Sequence, residues 1–150
     1  GAPFFYPSAV EYWHPEMKKI GTLNSHLSRV IASMGHTDKL VICDSGLPIP
    51  RDKEVVDLAL TVNIPRFIDT LNVIVAELEV ESAIVAVEME THVGSLYHEV
   101  EKALPDVEIQ KISHEEFKQL VRHDGTTAIV RTGEATPYAN IILVSGVTFG

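Results

Sequence analysis

The sequence predicts an α/β protein, a three-layer α/β/α sandwich with a largely parallel central sheet. Short apolar runs rich in β-branched residues, a pattern typical of buried strands, recur along the chain. Stretches with the spacing of amphipathic helices separate most of these runs. Strands that alternate with helices usually pair in parallel, and helices then cover both faces of the sheet. The 150 residues are enough for one such domain with a substantial core.

The first half of the chain contains five predicted segments. We expect a helix over 25–34, a strand over 39–43, a loop over 44–50, and helices over 52–62 and 65–78. Asn24 or Ser25 can cap the first helix, and Gly35 follows its end. The loop, DSGLPIP, contains a glycine and two prolines, which disfavour regular structure.

The second half alternates more regularly between strands and helices. We expect strands over 83–87, 107–112, 127–130 and 140–144, helices over 96–104 and 113–122, and a loop over 132–140. Ser113 followed by Glu116 forms a capping box at the start of the last helix. Ligands of parallel sheets usually bind where loops leave the carboxyl ends of the strands. This rule selects the polar positions that follow predicted strands, namely Asp44, Glu88, Ser113, His114 and the loop 132–140.

Composition and charge restrict the partners of the chain. The net charge of −9 disfavours nucleic acid and anionic membranes, because binding to phosphates needs a basic surface. No apolar run approaches the length of a membrane span. Cys43 is the sole cysteine, so no intramolecular disulfide can form, and we expect a cytoplasmic protein.

Neither a cofactor nor a metal is expected from the motifs. The sequence contains no glycine-rich dinucleotide or triphosphate motif, no nucleophile elbow and no cysteine–histidine spacing typical of zinc sites. Glu88, Glu90 and His92 could alternatively bind a metal, since they follow a predicted strand. A solvated acidic loop explains these three residues equally well.

Residues 1–16 differ in composition from the rest of the chain. They contain half of the ten aromatic residues and three of the eight prolines, and they lack the pattern of a secretory signal. Because Met17 is followed by two lysines and resembles a natural start, we expect 1–16 to be an appended segment and 17–150 to be the domain. The alternative is a native arm that docks on a neighbouring subunit.

Four motifs lie at or beside the predicted loops: GHTD at 35–38, DSGLPIP at 44–50, SHEEF at 113–117 and RTGEATPYAN at 131–140. In this order and at these separations they resemble the D-ribose pyranase family, and the likeness covers nearly all of 17–150. The related fucose mutarotases share the glycine–histidine opening but lack the GLPIP and TPYAN segments. One departure is Ser45, where the family usually has alanine.

The resemblance implies an isomerase that interconverts the pyranose and furanose forms of D-ribose without a cofactor. His36 would be the catalytic proton donor. The family likeness also implies which residues hold the sugar: Asp44, His114, Tyr138 and Asn140 through their side chains, and Ala139 through its backbone. Members of the family form rings, so we expect a homo-oligomer, specifically a decamer of two stacked pentamers.

The chemistry of ring interconversion suits these residues. Opening a cyclic hemiacetal delivers one proton to the ring oxygen and removes one from the anomeric hydroxyl, and reclosure reverses both transfers. A histidine titrates near neutrality and can both give and take a proton. His114 should begin a helix, whose positive end favours a neutral imidazole. His36 should follow a helix, whose negative end favours the imidazolium, with Asp38 close enough to orient it.

The spacing of His36 and Asp44 argues for a shared site. His36 precedes the first predicted strand and Asp44 follows it, so an extended chain separates them by up to about 25 Å. A pentose cannot bridge that distance. Either the GHTD loop folds back strongly, or His36 of one subunit acts beside Asp44 of a neighbour. We expect the second arrangement, which makes the isolated monomer inactive.

Two other functions fit the same residues. A mutarotase for another sugar, such as fucose, would use the same proton transfers. A non-catalytic sugar-binding protein associated with ribose uptake would explain Asp44, His114 and Asn140 equally well, but it would not need a titrating histidine at position 36.

Overall fold

A computed structural model describes residues 17–123 and 125–149. The helices are α1 (Ser25–Ser33), α2 (Phe67–Val75), α3 (Val87–His92), α4 (Gly94–Ala103) and α5 (His114–Val121). The strands are β1 (Lys39–Cys43), β2 (Val55–Asp57), β3 (Val80–Ala86), β4 (Glu108–Ile112), β5 (Thr126–Arg131) and β6 (Ile141–Ser145). Among the described residues no helix has the length and apolar character needed to cross a membrane. The predicted appended segment, 1–16, lies outside the described residues.

The six strands form one sheet in the order β2-β5-β1-β6-β3-β4. β1 and β2 both pair in parallel with β5, and β3 pairs in parallel with β4. β6 lies between β1 and β3 and is antiparallel to both. The sheet is therefore largely parallel, as predicted, with one reversed strand near its centre.

Helices and loops cover both faces of the sheet, which confirms the predicted sandwich. Leu40 and Ile42 of β1 point to the larger cluster, which also contains the buried faces of α1, α2, α3 and α4. Val41 and Cys43 point to the other face, where they pack with Phe117 and its neighbours on α5. This alternation follows from the two-residue period of a strand. Ser113 caps α5 as predicted, because its Oγ accepts a hydrogen bond from the backbone N–H of Glu116, and the Glu116 carboxylate accepts from the Ser113 hydroxyl.

Two predictions of secondary structure were wrong. The helix expected over 52–62 is instead the short strand β2 followed by an irregular segment. Val56 is buried in the larger cluster while Asp57 is exposed, so the local pattern is the alternation of a strand, and pairing with β5 fixes it. The acidic segment after the predicted strand 83–87 is the helix α3 rather than a loop, and that strand, β3, begins at Val80 rather than Ala83.

Burial makes the thiol of Cys43 unreactive. Desolvation raises its pKa to about 12, and the charge of Asp44 adds to that effect. At pH 8 the thiol therefore stays protonated, and thiolate is the form that alkylating reagents attack. We expect iodoacetamide to leave the native protein unmodified at pH 8 and to label Cys43 fully in denaturant. Rapid labelling of the native protein, followed by mass spectrometry, would contradict this.

Candidate active site

The reversed direction of β6 gathers several loops at one edge of the sheet. Asp44 follows the carboxyl end of β1, and His114 follows the carboxyl end of β4. Because β6 is antiparallel to β1 and β3, its amino end lies at the same edge as their carboxyl ends. The loop 132–140, which connects β5 to β6, therefore begins and ends at this edge. Parallel α/β sheets usually bind ligands there.

A cavity of about 460 Å³ lies at this edge of the sheet. Its walls contain Asp44, His114 and Tyr138, three of the predicted binding residues. The loop 45–48 and residues Glu134, Ala135 and Pro137 complete the lining. The fold thus brings together carboxylate, imidazole and phenol groups that are distant in sequence.

Asp44 lines the cavity and contacts Asn140, which is fully buried behind it and is not part of the cavity lining. The backbone N–H of Asp44 donates to Oδ1 of Asn140 at 2.8 Å, and the carboxylate of Asp44 accepts from the N–H of Gly46 at 3.0 Å. Burial raises the pKa of Asp44, although the N–H groups of Gly46 and Leu47 and the charge of His114 oppose that rise. The amide of Asn140 also lies near enough to lower this pKa, but its buried Nδ2 makes no hydrogen bond of good geometry with any described residue.

The helix α3 holds His114 in place. The backbone N–H of His114 donates to both carboxylate oxygens of Glu88, at 3.0 and 3.3 Å. The ring of His114 packs edge-on against Tyr138, with centroids 5.1 Å apart. Its Nδ1 atom is buried and has no hydrogen-bond partner among the described residues. A ligand hydroxyl in the cavity could satisfy this nitrogen.

Tyr138 contacts the rings of two histidines and has a backbone conformation that is rare for its residue type. Its φ angle of 64° lies in the left-handed region, which non-glycine residues seldom adopt away from functional loops. The ring of the exposed His92 also lies near Tyr138, with centroids 5.4 Å apart. Ala139, the next residue, is fully buried and packs in the larger cluster. Its predicted backbone contact with a sugar stays a prediction.

The residues proposed as an alternative metal site have other partners. Glu88 accepts from the backbone of His114, Glu90 pairs with Lys111 at 3.1 Å, and His92 packs on Tyr138. Within 17–123 and 125–149, no group of three or more candidate ligands has a geometry that could hold a metal ion. Each of these three side chains is therefore engaged with another part of the protein.

Glu134 also lines the cavity, although the family resemblance assigned it no role. Its side chain is buried, its carboxylate accepts from the N–H of Phe67 at 2.9 Å, and its carbonyl accepts from the N–H of Ser45 at 2.9 Å. The available signal was its position inside the RTGEATPYAN motif. The preceding Gly133 allows this close packing, because a Cβ atom there would collide with the carbonyls of Thr61 and Ile64.

Ser45, where the resembled family usually has alanine, directs its hydroxyl to the protein. Its Oγ donates to the Glu134 carbonyl at 3.0 Å, and its N–H donates to the same oxygen. The substitution Ser45→Ala keeps the N–H bond. We expect it to lower the free energy of unfolding by about 0.5–1.5 kcal/mol, measured as a small shift of the urea midpoint at fixed protein concentration. A loss above about 3 kcal/mol would contradict this role.

His36, the predicted proton donor, lies at the opposite edge of the sheet. Its neighbour Thr37 donates through its N–H to the carbonyl of Ser145, the last residue of β6. The five residues of β1 alone separate this edge from Asp44 by about 13 Å. His36 is half exposed, and its Nε2 lies 3.1 Å from Oε1 of Glu81. Glu81 therefore occupies the orienting position that we expected for Asp38, whose carboxylate instead accepts from the N–H of Gly35.

Comparison with known proteins gives a consistent result. The model of the RbsD / FucU transport protein family matches residues 17–148. A D-ribose pyranase of Coprothermobacter proteolyticus is 56% identical over 133 residues, which is 89% of this chain and 100% of that protein. The structure of Bacillus subtilis RbsD complexed with D-ribose is 46% identical, with a TM-score of 0.83, over 89% of this chain and 100% of that chain.

A more distant structure shows the same fold. The fucose mutarotase of Streptococcus pneumoniae, in complex with L-fucose, is 24% identical, with a TM-score of 0.68, over 84% of this chain and 94% of that chain. At that identity the likeness establishes the architecture alone. The matched family model, which spans nearly all of 17–150, and the close relatives together show that this chain belongs to the RbsD / FucU transport protein family.

Proposed function

We propose that this chain is a D-ribose pyranase, an isomerase that interconverts the pyranose and furanose forms of D-ribose. The observation that carries the proposal is the cavity that Asp44, His114 and Tyr138 line, with the buried Asn140 accepting a hydrogen bond from the backbone of Asp44. Each of these residues lies in a motif that resembles the family. The relative that is 56% identical to this chain over its own full length is named a D-ribose pyranase.

The polar groups of the cavity and of the adjoining Asn140 suit a hydroxyl-rich ligand. A carboxylate accepts hydrogen bonds from two sugar hydroxyls, and an amide both donates and accepts. The unpartnered Nδ1 of His114 and Nδ2 of Asn140 are buried polar atoms, each costing about 1–3 kcal/mol until a partner satisfies it. Ribose hydroxyls would supply those partners, so binding would recover part of this cost. The aromatic face of Tyr138 would pack against the C–H groups of the sugar.

The proton transfers are assigned to His36. It would deliver a proton to the ring oxygen as the bond to the anomeric carbon breaks, and would take one back when a different hydroxyl closes the new ring. These steps change no oxidation state and transfer no group, so they call for no redox cofactor. A positioned general acid of this kind typically contributes roughly 10²–10⁴-fold to the rate.

The separation of His36 from the cavity supports a site shared between subunits. The two lie at opposite edges of the sheet in one chain, so a catalytic His36 would reach this cavity from a second copy. We propose a ring-shaped homo-oligomer, a decamer of two pentamers, as the assembly. Exposed apolar side chains suit such contacts: Leu60 is 80% exposed and Val62 69% exposed, and both line a second pocket that shares Ser45 with the cavity.

The proposed cellular location is the cytoplasm. The support for this proposal is the free and fully buried Cys43, which is compatible with a reducing compartment.

One experiment tests the function and separates it from its alternatives. Magnetisation exchange between the anomeric proton signals of ribose, and separately of fucose, is measured by NMR with and without the protein. Faster pyranose–furanose exchange of ribose is the expected result. Faster exchange of fucose alone would indicate a mutarotase for another sugar, and binding without faster exchange would indicate a non-catalytic sugar-binding protein.

A further inference from the structure

Glu134 is a buried carboxylate that the proposed chemistry does not use. Its side chain is 4% exposed, and both of its oxygens are occupied. Oε1 accepts from the N–H of Phe67 at 2.9 Å, and Oε2 accepts from the hydroxyl of Thr136 at 2.8 Å and from Arg66 at 3.3 Å. Burial opposes ionisation, but these donors outweigh it and hold the pKa of Glu134 below its ordinary value.

The backbone of Glu134 reaches the other half of the site. Its carbonyl accepts from both the N–H and the hydroxyl of Ser45, the residue that follows Asp44. Its own N–H donates to the hydroxyl of Thr132 at 3.2 Å. One residue thus links three elements: the turn after β1, the loop 132–140, and the first turn of α2.

We propose that Glu134 is a positioning residue for the sugar site, because its buried carboxylate anchors the loop 132–140 to the amino end of α2. This inference rests on the proposed function, since it assigns Glu134 the task of keeping Tyr138 and Asn140 opposite Asp44. The carboxylate is well placed to anchor the loop, because negative charge is stabilised at the amino end of a helix. Binding groups must be held within a fraction of an ångström, so a loosened anchor weakens binding.

The substitution Glu134→Gln removes the anchor with little change of size. An amide has a single acceptor oxygen, so its NH₂ group has to face either the N–H of Phe67 or the donors of Thr136 and Arg66. We expect the ribose dissociation constant to rise roughly tenfold or more, because hydrogen bonds to a charged group are lost. The exchange rate at saturating ribose should change much less, since the proton donor comes from His36.

Thr136 offers a matched pair of variants. Thr136→Val removes the hydroxyl that donates to Glu134 but keeps the shape of the side chain, whereas Thr136→Ser keeps the hydroxyl. We expect valine to weaken ribose binding several-fold in the same direction as Glu134→Gln, and serine to restore near-normal binding. The pair also tests the inference if Glu134→Gln fails to fold.

The test combines ribose titration calorimetry, NMR exchange at saturating ribose, and hydrogen–deuterium exchange of the full chain. Weaker binding, a largely kept saturated rate, and faster deuterium uptake confined to 132–140 would support the inference. Unchanged binding and uptake in Glu134→Gln, or equal losses in Thr136→Val and Thr136→Ser, would overturn it. Deuterium uptake needs no ribose, so it decides the anchoring even if the wild-type protein neither binds nor interconverts ribose, the result that would refute the proposed function.

Discussion

Replacement of His36 by alanine is expected to slow the ring interconversion of ribose by roughly 10²–10⁴-fold, the range typical of a lost general acid. Ribose affinity should change little, because Asp44, His114 and Tyr138, the groups lining the cavity, remain in place. The side chain of His36 is half exposed, so its removal should leave the subunit folded. NMR exchange at saturating ribose gives the rate, and calorimetry gives the affinity.

The matched control for this variant is His114→Ala. Its imidazole lines the cavity that Asp44 also lines, so its loss should weaken ribose binding more than it slows saturated exchange. The two histidine variants should therefore differ in which parameter they change. A His36→Ala protein with wild-type exchange would refute the assigned chemistry, and a His114→Ala protein with intact affinity but lost turnover would reverse the two roles.

The elements that were predicted correctly are those with a clear pattern of residues within a short stretch of sequence. β1 is almost entirely apolar because both of its faces are buried, and this run predicted the strand. Ser113 followed by Glu116 predicted the start of α5, where the Ser113 side chain caps the helix. The segment 52–62 carried no such signal. Its apolar residues suit a helix or a strand, and pairing with β5, which is far away in sequence, selects the strand. The reversal of β6 likewise depends on long-range pairing.

Those residues of the site that directly follow a strand could be placed from the sequence. Asp44 and His114 follow strands that run in the same direction, so their convergence follows from the topology. The position of His36 was also predictable, because a residue that precedes β1 lies at the other edge. The contact of Glu81 with His36 and that of Glu134 with Phe67 were not predicted, since a single glutamate in a strand or loop gives no periodic signal. Their partners, His36 and Phe67, are 45 and 67 residues away.

Mixing two inactive variants should restore activity if the site is shared between subunits. In oligomers assembled from equal amounts of His36→Ala and Asp44→Ala subunits, half of the cavities retain Asp44, and half of those receive an intact His36. About one quarter of the sites are then complete, so exchange should recover to about a quarter of the wild-type rate. The subunits are denatured together, reassembled, and purified through two different affinity tags to verify mixing.

The structure supplies a control that distinguishes sharing from other causes of recovery. Asp44 and His114 line the same cavity of one chain, so mixed oligomers of Asp44→Ala and His114→Ala contain no cavity with both residues intact. Their binding defects should persist after mixing, whereas the pair that combines His36→Ala with Asp44→Ala should recover. If verified mixed oligomers of His36→Ala and Asp44→Ala showed no recovery, His36 would not act in the cavity of a neighbouring subunit. Recovery in both mixtures would show that refolding, rather than complementation, had restored the activity.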